Sequence, residues 1–457
     1  GKIDRNSLPD PIPQYFEEVI NPKNELEEKL YEIFKNVLHL KELSTKSSIF
    51  ELGGDSLSAI SLSLEIYDKL NVKLNVKTIF ENPTISNLAN FISNIGSVTD
   101  SIERIPKVEK KDYYPTSSAQ KRTYLASSLD EKSILYNITG GVLLDSEPNI
   151  PKLQKAIDTA VQRHEALRTY FEIENGKIVQ KIVDDLNIWI NVQEVNTNDK
   201  DELFYIYTSS FNLNTLPLLK AHLLLLPNGK ALLILDVHHI IFDGASLSNL
   251  LREICYIYNG KDLPNIDISY KDFAVWEENS LKNKKFEDSK NFWLKELKGH
   301  VPILNLPRPS VKSYEGSSFD VTISKEFVQK IYDFANSYNV TPYMVMLSSY
   351  YILLNKYSGD ENIIVGTPVS GRIYKELEPL IGMFVNSIPL KENILGDMQF
   401  KDFLENVKAT CIDAFEHQDY PFDLLVNDLK CNKDASHSPI FDTMFLYQNN
   451  KIEIIIE

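Results

Sequence analysis

Two short stretches carry residues whose types and spacing could do chemistry. The first is His238-His239-Ile240-Ile241-Phe242-Asp243-Gly244. Histidine titrates near neutrality, so it can take a proton from a nucleophile and return it to a leaving group. Asp243 follows across a turn and reads as a group that orients the loop by pairing with an arginine. Gly244 beside it permits an unusual backbone angle. The competing reading is a pair of core histidines closing a strand, which a bare His-His pair would favour. The second stretch is Leu52-Gly53-Gly54-Asp55-Ser56-Leu57. Two glycines allow a sharp turn, and Asp55 or Ser56 then stands where a helix starts. Backbone N–H groups and the positive end of the helix dipole favour an anion there, so a phosphodiester on Ser56 would be well placed. The simpler alternative is an N-cap.

The elements around these stretches can be read from periodicity. Pro9, Pro11 and Pro13 alternate near the start and exclude a helix over residues 1–20. Residues 21–96 read as a compact helical unit. Pro22 opens a helix with Leu26, Leu30, Ile33, Phe34 and Val37 on one face; a second helix begins near Ser56, and a third follows Pro83. Residues 97–112 turn polar, with Lys107, Glu109, Lys110, Lys111 and Asp112, and read as a linker. From Tyr113 onward apolar runs alternate with amphipathic helices. Leu232–Leu235 and Asn362–Val365 are buried-strand candidates, and Leu153–Val161 and Leu247–Ile257 are helices. This is mixed α and β without a glycine-rich dinucleotide fingerprint.

Bulk properties exclude several classes. The 457 residues are 43% hydrophobic and 25% charged, an ordinary globular balance with room for more than one domain. A formal net charge of −16 disfavours nucleic acid and anionic membrane surfaces as partners. Three cysteines, Cys255, Cys411 and Cys431, match neither a zinc spacing nor a disulfide framework. They are expected to be packing residues in a reducing, cytoplasmic compartment. No apolar run approaches the roughly 18 residues of a membrane span, and no secretory signal opens the chain.

The segment 22–96 resembles the peptidyl carrier proteins of nonribosomal peptide synthetases, and Phe50–Leu57 is close to that family's full motif. The resemblance implies that Ser56 carries a 4′-phosphopantetheine arm, installed by a phosphopantetheinyl transferase, whose thiol holds an aminoacyl or peptidyl thioester. Ahead of it, Gly1-Lys2-Ile3-Asp4-Arg5 resembles the end of an adenylation domain. That implies the order adenylation, carrier, condensation, with the carrier as donor, and makes Lys2 a solvated remnant.

Seven ordered segments then resemble the core motifs of condensation domains: Ser118–Tyr124, Arg163–Phe171, His238–Ser246, Tyr270–Trp276, Ile381–Ser387, His417–Asp423 and Lys433–Phe441. The last is the weakest, with Lys433 where the family usually has arginine. The implied fold is multidomain: a small all-α helical-bundle carrier plus a two-lobed α/β condensation domain resembling chloramphenicol acetyltransferase. The lobes are expected at about 113–285 and 286–457, with the last part of the C-terminal lobe missing. A tunnel between the lobes would admit the donor thioester and the acceptor on a downstream carrier from opposite ends.

The implied reaction is amide formation by acyl transfer. His239 would remove a proton from the attacking amine, or hold it in line and stabilise charge. Gly244 is a candidate to lend a backbone N–H to the oxyanion. By analogy with the acyltransferase relatives, Asp243 is expected to pair with Arg372, which follows the second buried strand, with Arg122 as the alternative. Arg163 and Arg168 are expected to hold a helix end to its neighbours. An epimerisation domain and a non-catalytic recruitment module are the competing functions. The intact His238, His239, Asp243 and Gly244 and the Gly382–Asn386 wording favour condensation, with an L-configured donor.

Overall fold

The structure is a computed structural model that describes residues 19–95, 104–130, 132–299, 301–307, 316–431 and 439–448; the side chains of Ser56, Leu57 and Ile95 are outside that description. The adenylation-like N-terminal segment, residues 97–103 of the expected linker and Lys433–Ser438 of the seventh motif also lie outside it. The chain separates into two compact units. One comprises residues 1–102, 314–352 and 397–416, and the other 103–313, 353–396 and 417–457.

The first unit contains four consecutive helices, α1 (Glu25–Leu38), α2 (Ser56–Leu70), α3 (Val76–Glu81) and α4 (Ile85–Ile95). The apolar positions counted from the sequence make their core. Leu30, Ile33 and Phe34 of α1, Leu62 and Ile66 of α2, and Leu88 of α4 are fully buried. Pro22 does not open α1. Asn24 caps it, accepting from the Glu27 N–H at 2.9 Å, because a side-chain oxygen satisfies a free helical N–H and Pro22 has none to offer. The short α3 escapes the periodicity because six residues are too few to show a stripe. Asn75 caps it, and Phe80 meets the Phe50 ring at 4.8 Å.

The second unit begins with β1 (Tyr114–Pro115) and α5 (Ser118–Ser127). It continues through β2 (Asn137–Leu144), α6 (Ile150–Arg163), β3 (Thr169–Glu174), β4 (Lys177–Ile182), β5 (Ile190–Glu194), α7 (Lys200–Tyr207), β6 (Leu219–Leu225) and β7 (Ala231–His238). Three helices follow: α8 (Gly244–Tyr258), α9 (Tyr270–Ser280) and α10 (Lys284–Glu296). Helix α11 (Lys325–Ser337) belongs to the first unit, and α12 (Pro342–Ser358) runs from the first into the second. Strands β8 (Asn362–Val369) and β9 (Asn386–Asn393) return to the second unit, α13 (Phe400–Glu416) to the first, and α14 (Phe422–Asp428) and β10 (Thr443–Met444) to the second.

A four-stranded sheet ordered β2-β7-β6-β5 carries the histidine segment. Strand β7 is buried at every residue, which is why it reads as an unbroken apolar run. Its one acid, Asp236, is fully buried and satisfied by the Asn137 amide at 2.8 Å and by the Thr139 hydroxyl and Ser209 N–H, each at 3.1 Å. Helix α8 lies close over this sheet. A Cβ on Gly140 of β2 would come within 2.5 Å of a Leu247 methyl, so a side chain there would make Leu247 move. Two three-stranded sheets, β1-β4-β3 and β10-β8-β9, complete the unit.

Residues 104–112 differ from a free linker. Ile105 is buried, and its N–H donates to Glu376 at 2.6 Å; the Val108 N–H donates to Asp272 at 2.8 Å. Polar composition hid this, because these two bonds use the segment's backbone N–H groups.

Candidate functional site

Strand β7 delivers the two histidines and then stops. His238 is its last residue, one earlier than the sequence suggests; His239 opens a single 3-10 turn to Ile241, and Asp243 caps α8. The turn forms because His239 N–H donates to the Tyr136 carbonyl at 2.7 Å and Phe242 N–H returns to the His239 carbonyl.

The histidines sit in opposite electrostatic roles. His238 is buried, and its Nδ1 accepts the Ile240 N–H at 3.1 Å, so the ring proton is on Nε2, 3.4 Å from the Ser127 hydroxyl. Burial, helped by the charge of His239, pushes its pKa down to about 4. His239 is half-buried, and its Nδ1 lies 2.7 Å from the Phe242 carbonyl oxygen. A carbonyl only accepts, so Nδ1 carries the proton and Nε2 keeps its lone pair. That leaves His239 as the base-competent ring.

Asp243 is fully buried and receives five donors. Its Oδ1 accepts from the Ser246 N–H and hydroxyl, both at 2.8 Å, and from Arg372 Nη2 at 3.1 Å. Its Oδ2 accepts from Arg372 Nη1 at 2.6 Å and the Phe384 N–H at 3.2 Å. The structure thus brings Asp243 and Arg372 together as a two-pronged pair. Arg372 also donates to the Leu380 carbonyl at 3.1 Å, and its guanidinium lies over the Phe384 ring at 4.4 Å. Gly371 makes the approach possible. Its φ is +67°, and a Cβ there would stand 1.8 Å from the Phe384 carbonyl oxygen. Tyr270 braces the same segment, its hydroxyl donating to the Met383 carbonyl at 2.6 Å.

Gly244 does not adopt an unusual backbone angle. It is the first residue of α8, outside the left-handed region, and a Cβ on it would meet nothing within 4 Å. Its place is an exposed helix N-terminus with open space around its Cα.

Arg122, the alternative partner for Asp243, lies over the Phe422 ring at 5.9 Å. It lines a small, solvent-open cleft with Ser118, Glu277, Phe384, Asn386 and Asp423. Burial pushes Glu277 up to about 7, and it raises Asp423 also; the Arg122 charge opposes both shifts. The histidine loop does not line this cleft. Arg163 pairs with Glu253 at 3.2 Å, and Arg168 donates to the Val161, Gln162 and Asp184 carbonyls, so both fasten the end of α6. Cys255 and Cys411 are buried, and burial pushes the Cys255 thiol up to about 11. No cluster of metal-ligating side chains occurs among the described residues. Sequence reasoning assigned no role to Ser246, although it lies inside the histidine motif, and missed Ser127 and Asp236, which lack any motif.

Comparison with known families settles the class of this architecture. Residues 110–456 match the family model "Condensation domain". The chain belongs to the condensation-domain family. Ahead of that match, residues 28–92 match "Phosphopantetheine attachment site", so α1–α4 form a carrier domain for 4′-phosphopantetheine. Gramicidin S synthase 2 of Brevibacillus brevis is 38% identical over 460 residues, covering 98% of this chain and 10% of the synthase. Tyrocidine synthase 3 of Brevibacillus parabrevis is 39% identical over 455 residues, covering 98% of this chain and 7% of the synthase. The chain therefore spans a tenth or less of the length of these relatives. In fold it resembles the X-domain from teicoplanin biosynthesis, with a TM-score of 0.67 at 20% identity over 75% of this chain and 79% of that one. It also resembles the condensation domain of the Monacolin K polyketide synthase MokA, with a TM-score of 0.66 at 18% identity over 74% of this chain and 82% of that one. The condensation domain has the two-lobed α/β fold expected from its motifs.

The carrier's residues fit the prosthetic group. Asp55 caps α2 by accepting the Ser58 N–H at 2.8 Å, which leaves Ser56 as the first helical residue, behind the turn at Gly53 and Gly54. A serine there has the hydroxyl that a phosphodiester requires, at the end of a helix that favours an anion.

The Asp243–Arg372 pair generates one prediction. Asp243→Ala or Arg372→Ala leaves a buried charge without its counter-ion, so each should cost on the order of 3–5 kcal/mol in denaturant unfolding. The double variant should lose less than the sum; additive losses would reject the coupling. A second prediction concerns pH. His238 is held near 4 in the folded chain, against 6.5 ordinarily, so the unfolded chain binds its proton more readily. Its contribution to stability is complete above about pH 6.5, falls as pH drops through the interval and is lowest below about pH 4, by about 3 kcal/mol. His238→Gln should flatten the slope of unfolding free energy between about pH 7 and pH 5. An unchanged slope means that this histidine is not buried neutral.

Proposed function

We propose that the chain forms an amide bond in nonribosomal peptide synthesis. The donor is an aminoacyl or peptidyl thioester on the carrier, delivered by an upstream adenylation domain, and the acceptor amine belongs to a downstream carrier's thioester. The observation that carries this reading is the His239 ring: its Nδ1 proton is committed to the Phe242 carbonyl, which leaves Nε2 with its lone pair.

The prosthetic group on Ser56, placed there by a phosphopantetheinyl transferase, supplies a thiol that keeps the acyl group activated. The residues of this chain do the rest. The acceptor nitrogen attacks the carbonyl carbon, the C–N bond forms, and the C–S bond breaks with its electron pair leaving on sulfur. His239 Nε2 takes the proton that the nitrogen must lose and returns it to the departing thiolate. Gly244 N–H, at the start of α8, is the donor proposed for the developing oxyanion. Asp243 and Arg372 do not touch the reacting atoms in this scheme. They hold the turn so that His239 stays in line, and positioning supplies a large share of the acceleration for so reactive an acyl donor.

Two experiments test this. In single-turnover assays with synthetic donor and acceptor thioesters, His239→Ala should lower the rate by about 10²–10⁴-fold, the usual range for a general base. His238→Ala should lose far less through chemistry. A folded His239→Ala variant at the wild-type rate would remove the catalytic role. For the carrier, coenzyme A with a phosphopantetheinyl transferase should add one 4′-phosphopantetheine mass to the wild-type chain, and Ser56→Ala should abolish it. Continued modification of that variant places the attachment elsewhere.

A further inference from the structure

Ser246 is fully buried in the first turn of α8. Its hydroxyl oxygen meets four polar groups. It donates to Asp243 Oδ1 at 2.8 Å and accepts from the Gly382 N–H and Arg372 Nη2, each at 3.1 Å. The Gly382 carbonyl, also at 3.1 Å, competes for the same proton. A hydroxyl has one proton and two lone pairs, so three of these bonds use its whole capacity. Its backbone N–H goes to Asp243 as well, at 2.8 Å. One side chain therefore joins the α8 cap, the buried arginine and the 380–384 segment.

The consequence reaches His239 through one peptide plane. The Phe242 carbonyl, which holds the His239 Nδ1 proton, shares a rigid peptide with the Asp243 N–H. A shift of Asp243 turns that plane and moves the acceptor away from Nδ1. The neutral ring then has no reason to prefer one nitrogen for its proton.

We infer that Ser246 is a positioning residue for His239: its hydroxyl fixes the Phe242–Asp243 peptide and so keeps His239 in the Nδ1–H form with Nε2 unprotonated. This rests on the proposed role of Nε2 as the base, but its test reads the ring itself and not turnover alone.

The full chain labelled with ¹⁵N-histidine is compared as wild type, Ser246→Ala and Ser246→Cys, with His239→Gln to assign the ring signals. Wild type should show His239 with one protonated and one bare ring nitrogen, the bare one being Nε2. In Ser246→Ala the two nitrogens should move toward a common average as tautomers exchange. Turnover should fall on the order of tenfold to a hundredfold with KM little changed, the size expected for loss of alignment. A folded Ser246→Ala chain with wild-type ring signals overturns the inference, whatever its melting temperature. If Ser246→Ala does not fold, Ser246→Cys carries the test. It keeps the volume with a weaker donor and acceptor, and unchanged signals there overturn the inference equally. Averaged signals in the variant together with wild-type turnover in His239→Ala would uphold control of the tautomer and remove the base role.

Discussion

The contact between the Asp243 carboxylate and the Arg372 guanidinium is the constraint on which the rest of the site depends. Both groups are almost wholly out of water, and a charge so placed is tolerated only when it is paired and hydrogen-bonded. The surroundings meet that condition through two backbone N–H groups, a serine hydroxyl and two guanidinium nitrogens on the aspartate. The demand explains features that look unrelated. Gly371 must be glycine for the arginine to arrive, Phe384 must offer both its N–H and its ring face, and α8 must begin at Gly244 so that Asp243 caps it.

The same scaffold divides the work of two adjacent histidines. Their side chains have the same chemistry, and the difference comes from backbone groups. A backbone N–H meets His238 Nδ1, and a backbone carbonyl meets His239 Nδ1. One ring is thereby turned into a buried, neutral spacer, and the other keeps an Nε2 lone pair, which suits it to the base role proposed for it. Burial strengthens the contrast, since His238 is enclosed while His239 remains half-exposed. Strand β7, buried from end to end, makes the arrangement rigid.

The carrier works by a different logic. Its helices pack around Leu30, Ile33, Phe34, Leu62 and Ile66, and the serine proposed to carry the arm is simply the first residue of a helix. Little has to be positioned there, because the covalent arm does the reaching. The condensation domain instead holds its histidine turn by hydrogen bonds from several elements.

Much was readable in advance, for a definite physical reason. The Gly53-Gly54-Asp55-Ser56 turn, the apolar run of β7 and the stripe of α1 are local. They follow from residue spacing within one element, and covalent geometry alone decides which side chains share a face. The seven ordered motifs gave the family in the same way, and analogy with acyltransferase relatives suggested Arg372. Where local rules compete, the chain alone was misleading: Pro22 seemed to open α1 although Asn24 caps it, and residues 104–112 looked like a free linker. Other features belong to tertiary structure entirely. Asp243 and Arg372 lie 129 positions apart, and Ser246 and Gly382 lie 136 apart. Which nitrogen of each histidine carries the proton depends on where the Ile240 N–H and the Phe242 carbonyl point. Sequence determined which groups are present and in what order. Packing decided which of them meet, because a buried charge and a single hydroxyl proton accept only a few partners, and only the folded chain brings those partners within reach.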